Sequence, residues 1–200
     1  NYIYNPIPSK IIPQKIEYKR NKSLPPILIS VGRLEYQKGF DILIKSFKKV
    51  LEIVPQAKLN IYGEGSQKLM LNKLIIKLSM TKNIKIKGFC NDISSELINA
   101  DLFLLASRFE GFSNAILEAL FLGIPVVTTK CPGANEEIIK KGFNGFLAKN
   151  EDHKDFSKKI IEGLNYNWDR NQIEKDTRDL YSRRKISFQY LNLLENILNN

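Results

Sequence analysis

The chain has 200 residues, of which 43% are hydrophobic and 26% are charged. This composition is close to that of an average globular protein and excludes wholesale disorder, and the length suits about one substantial domain. The longest apolar stretch, residues 115–127, is interrupted by Glu118 and Pro125 and falls short of the roughly 20 apolar residues of a membrane span. The N-terminus has no start Met and no signal-peptide pattern, so we interpret the chain as a piece of a longer protein.

The chain is basic, with 31 Lys and Arg against 21 Asp and Glu and a net charge of +10. Such a charge suits nucleic acid, an anionic membrane or a phosphorylated substrate. Joint enrichment in Lys, Asn and Ile explains it equally well as a compositional bias of the source genome. The cations are scattered and show no stripe with interleaved aromatics, which argues against a nucleic-acid partner.

Cysteine and histidine are scarce: the chain has Cys90, Cys131 and His153. Their spacing matches no metal motif and no disulfide framework, and a reducing compartment is expected. With a single His in a polar helix start, a Ser–His or Cys–His nucleophilic site cannot be built from this chain.

Residues 1–26 are rich in Pro and cations, which predicts a linker or entry segment. From residue 27 short apolar strands alternate with amphipathic helices. The predicted strands are 27–32, 58–63, 83–88, 101–107, 124–129 and 144–148. The predicted helices are 40–54, 66–80, 92–99, 113–122, 134–141 and 151–164.

This alternation predicts an α/β fold, a doubly wound Rossmann-like parallel sheet over residues 27–165 with helices on both faces. Ligands in such folds bind beyond the carboxyl ends of the strands. Residues 166–200 lie outside the alternation, and we predict a polar stretch followed by one helix. The apolar stripe of that helix contains Phe188, Leu191, Leu194, Ile197 and Leu198.

The loop after the first strand carries Gly32, Arg33, Lys38 and Gly39. Two cations at a strand end, beside a helix N-terminus, favour an anion site; two solvated surface cations are the alternative. The order Lys-Gly and the few glycines exclude a Walker P-loop. We expect Ala at either cation to weaken anion binding with little effect on folding.

A Gly-x-Gly at Gly63 and Gly65 follows the second strand. Lys68 stands where the dinucleotide fingerprint has its third glycine, and the motif follows the wrong strand. We therefore predict a plain turn.

The strongest local feature is residues 108–118, where the fourth strand gives way to a helix. Glu110 stands at the strand's carboxyl end, and Gly111 lets the backbone approach a ligand. Ser113 or Asn114 can cap the helix, whose free N–H groups suit a phosphate.

Glu118 lies one turn further along the same helix face, among apolar neighbours. An ionised carboxylate there needs partners, and sugar or ribose hydroxyls would serve. The alternatives are a capping cluster with a Glu at the helix rim, or a glycosidase pair with Glu110, which would need no phosphate site.

Three ordered stretches, GRLEYQKGFDILIKSF, EGFSNAILEALFLGIPVV and CPGANEEIIKKGFNGFL, resemble the C-terminal half of a retaining glycosyltransferase of family 4. That group has the GT-B fold, with two Rossmann-like domains facing across a cleft. Glu110 and Glu118 match its motif of two glutamates with seven residues between them, and NPI at 5–7 resembles its interdomain connection.

The resemblance implies a role for each matching position. Gly32, Arg33 and Lys38 match the loop whose cations hold the donor diphosphate. Glu110 matches the acidic residue that contacts the transferred sugar, which makes it the catalytic candidate. Glu118 matches the residue that holds the ribose hydroxyls.

The turn that contacts sugar and phosphate is matched by Gly111, Phe112, Ser113 and Asn114. In the third stretch Gly133 and Glu137 fit the pattern, whereas Ala134 replaces a more usual glycine. The loop after Gly88 would lie near the nucleobase without indicating which base.

The resemblance implies an enzyme that binds a nucleoside-diphosphate sugar and transfers the sugar with retention, in cell-surface polysaccharide or glycolipid synthesis. No cofactor beyond the donor is implied, and the lack of an Asp-x-Asp cluster implies no metal. The implied place is the cytoplasm, where a basic chain suits the inner face of an anionic membrane.

The same resemblance places the final helix on a missing N-terminal acceptor-binding domain, so we expect the chain alone to be inactive. A basic, non-catalytic Rossmann-like module that binds nucleic acid or another polyanion is the alternative. A phosphorylase or sugar-nucleotide epimerase shares the fold, but the order of the three stretches argues against it.

Overall fold

The computed structural model describes Pro6 and residues 24–198. Six parallel strands form one sheet in the order β3-β2-β1-β4-β5-β6. The strands are β1 Ile27–Val31, β2 Lys58–Tyr62, β3 Ile84–Gly88, β4 Leu102–Leu105, β5 Val126–Thr129 and β6 Gly145–Ala148. The helices are α1 Phe40–Ile53, α2 Lys68–Lys77, α3 Ile93–Leu97, α4 Asn114–Phe121, α5 Asn135–Ile138, α6 His153–Asn165, α7 Arg170–Tyr181 and α8 Arg183–Leu198.

The sheet separates two hydrophobic cores. One lies against α1, α2 and α6, and its largest buried side chains are Phe40, Phe47, Phe146 and Phe156. The other lies against α3, α4, α5 and α7 and includes Phe103, Ile116, Leu120, Ile138 and Ile173. Because side chains alternate along a strand, Leu28 and Ile29 enter opposite cores. The predicted α/β doubly wound sheet is confirmed.

The order of the strands reverses at β1, which pairs with β2 on one side and with β4 on the other. The chain runs outward from β1 to β3 and then returns to the opposite side of β1. The loops after β1 and β4 therefore lead away in opposite directions and open a crevice at the carboxyl edge, where doubly wound folds bind ligands.

Helix α5 is shorter than the predicted 134–141. The Asn144 side chain ends it by folding back on the chain: it accepts from the Lys140 N–H at 2.7 Å and donates to the Ile138 carbonyl at 3.0 Å. These side-chain bonds replace the next helical turn.

The polar stretch predicted after residue 165 is instead a helix, α7. Asp169 caps it by accepting from the Gln172 N–H at 3.0 Å, and Ile173 and Thr177 are buried. Helix α7 packs on α4 and thus belongs to the second core. The apolar stripe predicted on the final helix is exposed on α8. The predicted linker lies outside the described residues except for Pro6 and residues 24–26.

Candidate functional site

Lys38 and Glu110 meet in the crevice at the strand reversal. Lys38 ends a 3-10 turn in the loop after β1, and its Nζ lies 2.5 Å from Glu110 Oε1. The side chains are 15% and 6% exposed, so the ion pair is largely removed from water. Ser107, fully buried in the loop just after β4, donates to the same carboxylate oxygen at 2.6 Å. Glu110 is therefore held from two sides, and Lys38 keeps two further N–H donors for a ligand.

Two glycines permit the close approach of the loops around this pair. Gly39 has φ 61°, and a Cβ there would overlap the Ala106 carbonyl oxygen. Gly133 has φ 126°, and a Cβ there would overlap the Glu110 carbonyl oxygen. Any other residue would push the loops apart, so both glycines are required by the tertiary structure.

The beginning of α4 lies directly after Glu110 and Gly111. Ser113 occupies the N-cap position, but its side chain makes no capping hydrogen bond, contrary to the predicted cap. Its hydroxyl is buried and has no hydrogen-bond partner among the described residues. Asn114 is exposed, and a Cβ at Gly111 would contact nothing within 4 Å. The helix start thus combines N–H donors, an unused hydroxyl and open space.

Glu118 lies one turn into α4 and is half-buried. Burial raises the pKa of its carboxyl group. The described residues provide its side chain with no hydrogen bond and no ion pair to offset that burial. A carboxylate in this state is free to accept hydrogen bonds from a ligand.

Arg33 is separated from the Lys38–Glu110 pair. Its side chain is exposed, and the structure describes no hydrogen bond from it to either residue. The neighbouring Gly32 is packed under Lys38, whose methylene groups would lie 3.5 Å from a Cβ at this position. Of the two predicted cations, Lys38 is the one that the fold brings into the crevice.

A family model described as "Glycosyl transferases group 1" matches residues 13–180. The chain belongs to this family. It is 28% identical over 173 residues to LpsE of Rhizobium meliloti, a lipopolysaccharide core biosynthesis glycosyltransferase, and the match covers 84% of this chain and 49% of that protein. It is 40% identical over 113 residues to an uncharacterized glycosyltransferase of Methanocaldococcus jannaschii, covering 56% of this chain and 28% of that protein. The chain thus spans less than half of either relative.

Solved structures share the GT-B domain fold. The lipopolysaccharide outer core galactosyltransferase WaaB, in its apo form, superposes with a TM-score of 0.85 at 22% identity, over 98% of this chain and 55% of that chain. The pneumococcal O-GlcNAc transferase GtfA, solved with UDP and GlcNAc, superposes with a TM-score of 0.77 at 24% identity, over 88% of this chain and 36% of that chain. No helix within residues 24–198 is both long and apolar enough to cross a bilayer.

This member of the group 1 family also has contacts at its candidate site that the sequence did not indicate. The loop after β2 is more than the predicted plain turn, because Gly65 packs on the backbone of Leu34 and Glu35 accepts two bonds from Ser66, at 2.8 and 2.6 Å. The Arg108 side chain contacts residues far away in the sequence, so no local pattern could have indicated its partners.

Helix α7 reaches the site through aromatic contact. The Phe112 ring lies 6.1 Å from that of Tyr181, at the end of α7. Burial raises the pKa of Tyr181, and the charge of Glu137 raises it further. The turn after Glu110 is thus backed by a helix that the sequence pattern did not predict.

Proposed function

We propose that this chain is the donor-binding half of a glycosyltransferase and binds a nucleoside-diphosphate sugar in the crevice between the loops after β1 and β4. The observation that carries the proposal is the Lys38–Glu110 pair at the reversal of strand order, followed along the chain by the start of α4 with its unpaired Ser113 hydroxyl. A cation and a helix start suit a diphosphate, and a fixed carboxylate suits sugar hydroxyls.

In this function the bond between the anomeric carbon and the diphosphate oxygen breaks, and its electron pair leaves with the diphosphate. Lys38 and the N–H groups at the start of α4 would stabilise that growing negative charge. Glu110 would orient the sugar while the oxygen of an acceptor hydroxyl bonds to the anomeric carbon with retention, and the proton of that hydroxyl would pass to the departing diphosphate. Glu118 would accept hydrogen bonds from the ribose, and Arg33 would act from the rim of the crevice.

The wider role that we propose is transfer to a cell-surface polysaccharide or glycolipid, at the cytoplasmic face of a membrane. The names of relatives support it: besides LpsE, a poly(glycerol-phosphate) alpha-glucosyltransferase of Bacillus subtilis is 32% identical over 119 residues. An acceptor-binding domain would complete the cleft, because transfer requires both substrates in near-attack geometry. We propose no further cofactor and no metal.

No observation on the described residues favours the nucleic-acid alternative. Several cations there pair with carboxylates on the protein itself, among them Lys38, Lys45, Lys68, Arg108, Lys130, Lys159 and Arg178. Cations neutralised in this way do not form the continuous basic stripe that tracks a nucleic-acid backbone.

Thermal unfolding with UDP, GDP or ADP tests the proposal. At about 100 times Kd, binding adds roughly 2.7 kcal/mol to the free energy of unfolding. For a domain of this size, the unfolding midpoint should rise by roughly 5–11 °C. The corresponding nucleosides, which lack phosphates, are the matched control and should shift it less. If none of the three diphosphates shifts the midpoint at millimolar concentration, the proposal is wrong.

A further inference from the structure

We infer that Arg108 is a positioning residue that holds the loops carrying Lys38 and Glu110 at a fixed separation. The role in donor binding rests on the proposed function above, whereas the mechanical role does not. Arg108 was not among the residues that the sequence motifs assigned to the site, and it makes no contact with the Lys38–Glu110 pair through its side chain.

The Arg108 side chain is 11% exposed and uses each of its three nitrogens. Nη1 and Nη2 donate to the two carboxylate oxygens of Asp41, both at 3.0 Å. Nε donates to Glu151 at 2.7 Å, and Nη1 also donates to the Tyr36 carbonyl at 2.7 Å. The guanidinium carbon Cζ lies 3.9 Å from the centre of the Tyr36 ring.

These contacts join three segments. Tyr36 and Asp41 flank Lys38 in the loop after β1 and the start of α1, and Glu151 precedes α6. The Arg108 backbone adds two bonds, because its N–H donates to the Gln37 carbonyl at 2.8 Å and its carbonyl accepts from Asn150 Nδ2 at 3.0 Å. Movement of Arg108 would therefore displace the residues next to Lys38 in the loop after β1. It would also displace the residues next to Glu110, because Arg108 lies two positions before Glu110 in the same loop.

Glu151 provides an independent observation, because its backbone is in the left-handed region at φ 57°. A side chain with a Cβ is strained there, and Gly or Asn would suit the turn better. The Glu side chain is the group that reaches Arg108 across the crevice edge. The strained backbone of Glu151 thus coincides with a side-chain contact that, together with Asn150, ties the loop before α6 to Arg108.

Only arginine can make this set of contacts. Its planar fork serves two carboxylates and a carbonyl at once, whereas a lysine ammonium keeps the charge but cannot make the bidentate bond and the Nε bond together. Arg108→Lys therefore separates geometry from charge. Arg178→Lys is the matched control, since Arg178 also pairs with a carboxylate and lies over an aromatic ring, 4.4 Å from the centre of Phe121.

The experiment measures amide hydrogen exchange and nucleoside-diphosphate affinity on the full chain, well below the unfolding midpoint. For Arg108→Lys we expect faster exchange confined to residues 33–39 and 107–113, and about tenfold weaker binding of the diphosphate that binds the parent. Arg178→Lys should leave both properties unchanged. Glu151→Asn, which suits the left-handed backbone but loses the carboxylate contact, should speed exchange in 107–113 without lowering the unfolding midpoint.

Unchanged exchange in both loops for Arg108→Lys would overturn the inference, and so would an equal increase across the whole sheet, which indicates a general loss of stability. Parent-like affinity combined with faster loop exchange would also overturn it, because the loops would then move without consequence for the site. If the parent chain binds no nucleoside diphosphate, the proposed function fails, and the exchange result alone decides whether Arg108 holds the loops.

Discussion

Lys38 Nζ lies 2.5 Å from Glu110 Oε1, and this contact joins the loops after β1 and β4 across 72 residues of sequence. Because the Glu110 side chain is almost fully buried, we expect the pair to affect folding in addition to its proposed role in ligand binding. The sequence alone predicts that removal of Lys38 hardly affects folding, whereas this geometry leads us to expect a loss of stability.

Lys38→Met should destabilise the free chain, because it leaves the Glu110 carboxylate buried without its cation. Removing one partner of a buried ion pair costs about 3–5 kcal/mol, and the partial exposure of Lys38 favours the lower bound. At about 2–4 °C per kcal/mol, the unfolding midpoint should fall by roughly 6–12 °C, as measured by circular dichroism. The double variant Lys38→Met with Glu110→Gln should regain most of that loss; a double variant as unstable as the single one would contradict this account.

Glu110→Gln and Glu118→Gln should differ in which part of the donor they affect. Glu110 is expected to bind the sugar, so Glu110→Gln should weaken the binding of a nucleotide sugar more than the binding of the corresponding nucleoside diphosphate. Glu118 is expected to bind ribose, which both ligands contain, so Glu118→Gln should lower the affinity for both by the same factor. Isothermal titration calorimetry with the two ligands measures these affinities. If each variant loses affinity for both ligands by the same factor, the assignment of Glu110 to the sugar and Glu118 to the ribose is wrong.

The free chain should be more stable with Gln than with Glu at position 118 near neutral pH. Burial raises the pKa of Glu118 above its usual value of 4.5, so the folded chain binds its proton more tightly than the unfolded chain. The stability of the parent relative to Glu118→Gln should therefore fall as pH rises through that raised pKa, and should be greatest below pH 4.5. Unfolding midpoints of both chains from pH 4 to 8 test the sign, and a parent that gains relative stability with rising pH would refute it.

Ser113→Ala should separate folding from binding. The buried hydroxyl has no partner among the described residues, and an unpaired buried polar group costs about 1–3 kcal/mol. The variant should therefore unfold at an equal or higher temperature while binding a nucleoside diphosphate more weakly. Ser157→Ala is a useful comparison, because Ser157 is also buried but donates to the Lys154 carbonyl at 2.7 Å, so its loss should lower the midpoint. Unchanged affinity in Ser113→Ala would exclude the hydroxyl as a ligand donor.

The alternation of apolar segments determined the fold class, because the spacing of buried residues along a strand or a helix is a local property of the chain. It also indicated the loops of the site, since a parallel sheet brings the ends of all its strands to one edge. Helix α7 was not predicted because two buried side chains, Ile173 and Thr177, hold an otherwise polar segment on α4.

Tertiary structure decided which candidates act together. Lys38 and Arg33 look alike in sequence, but the turn that ends at Gly39 directs Lys38 to Glu110 and leaves Arg33 exposed. Nothing in the sequence around Arg108 indicates its partners Asp41 and Glu151, because they lie 67 and 43 residues away and only the fold places them beside it. Ion pairs and close backbone contacts depend on distances through space, and such distances are set only when the sheet has brought separate loops together.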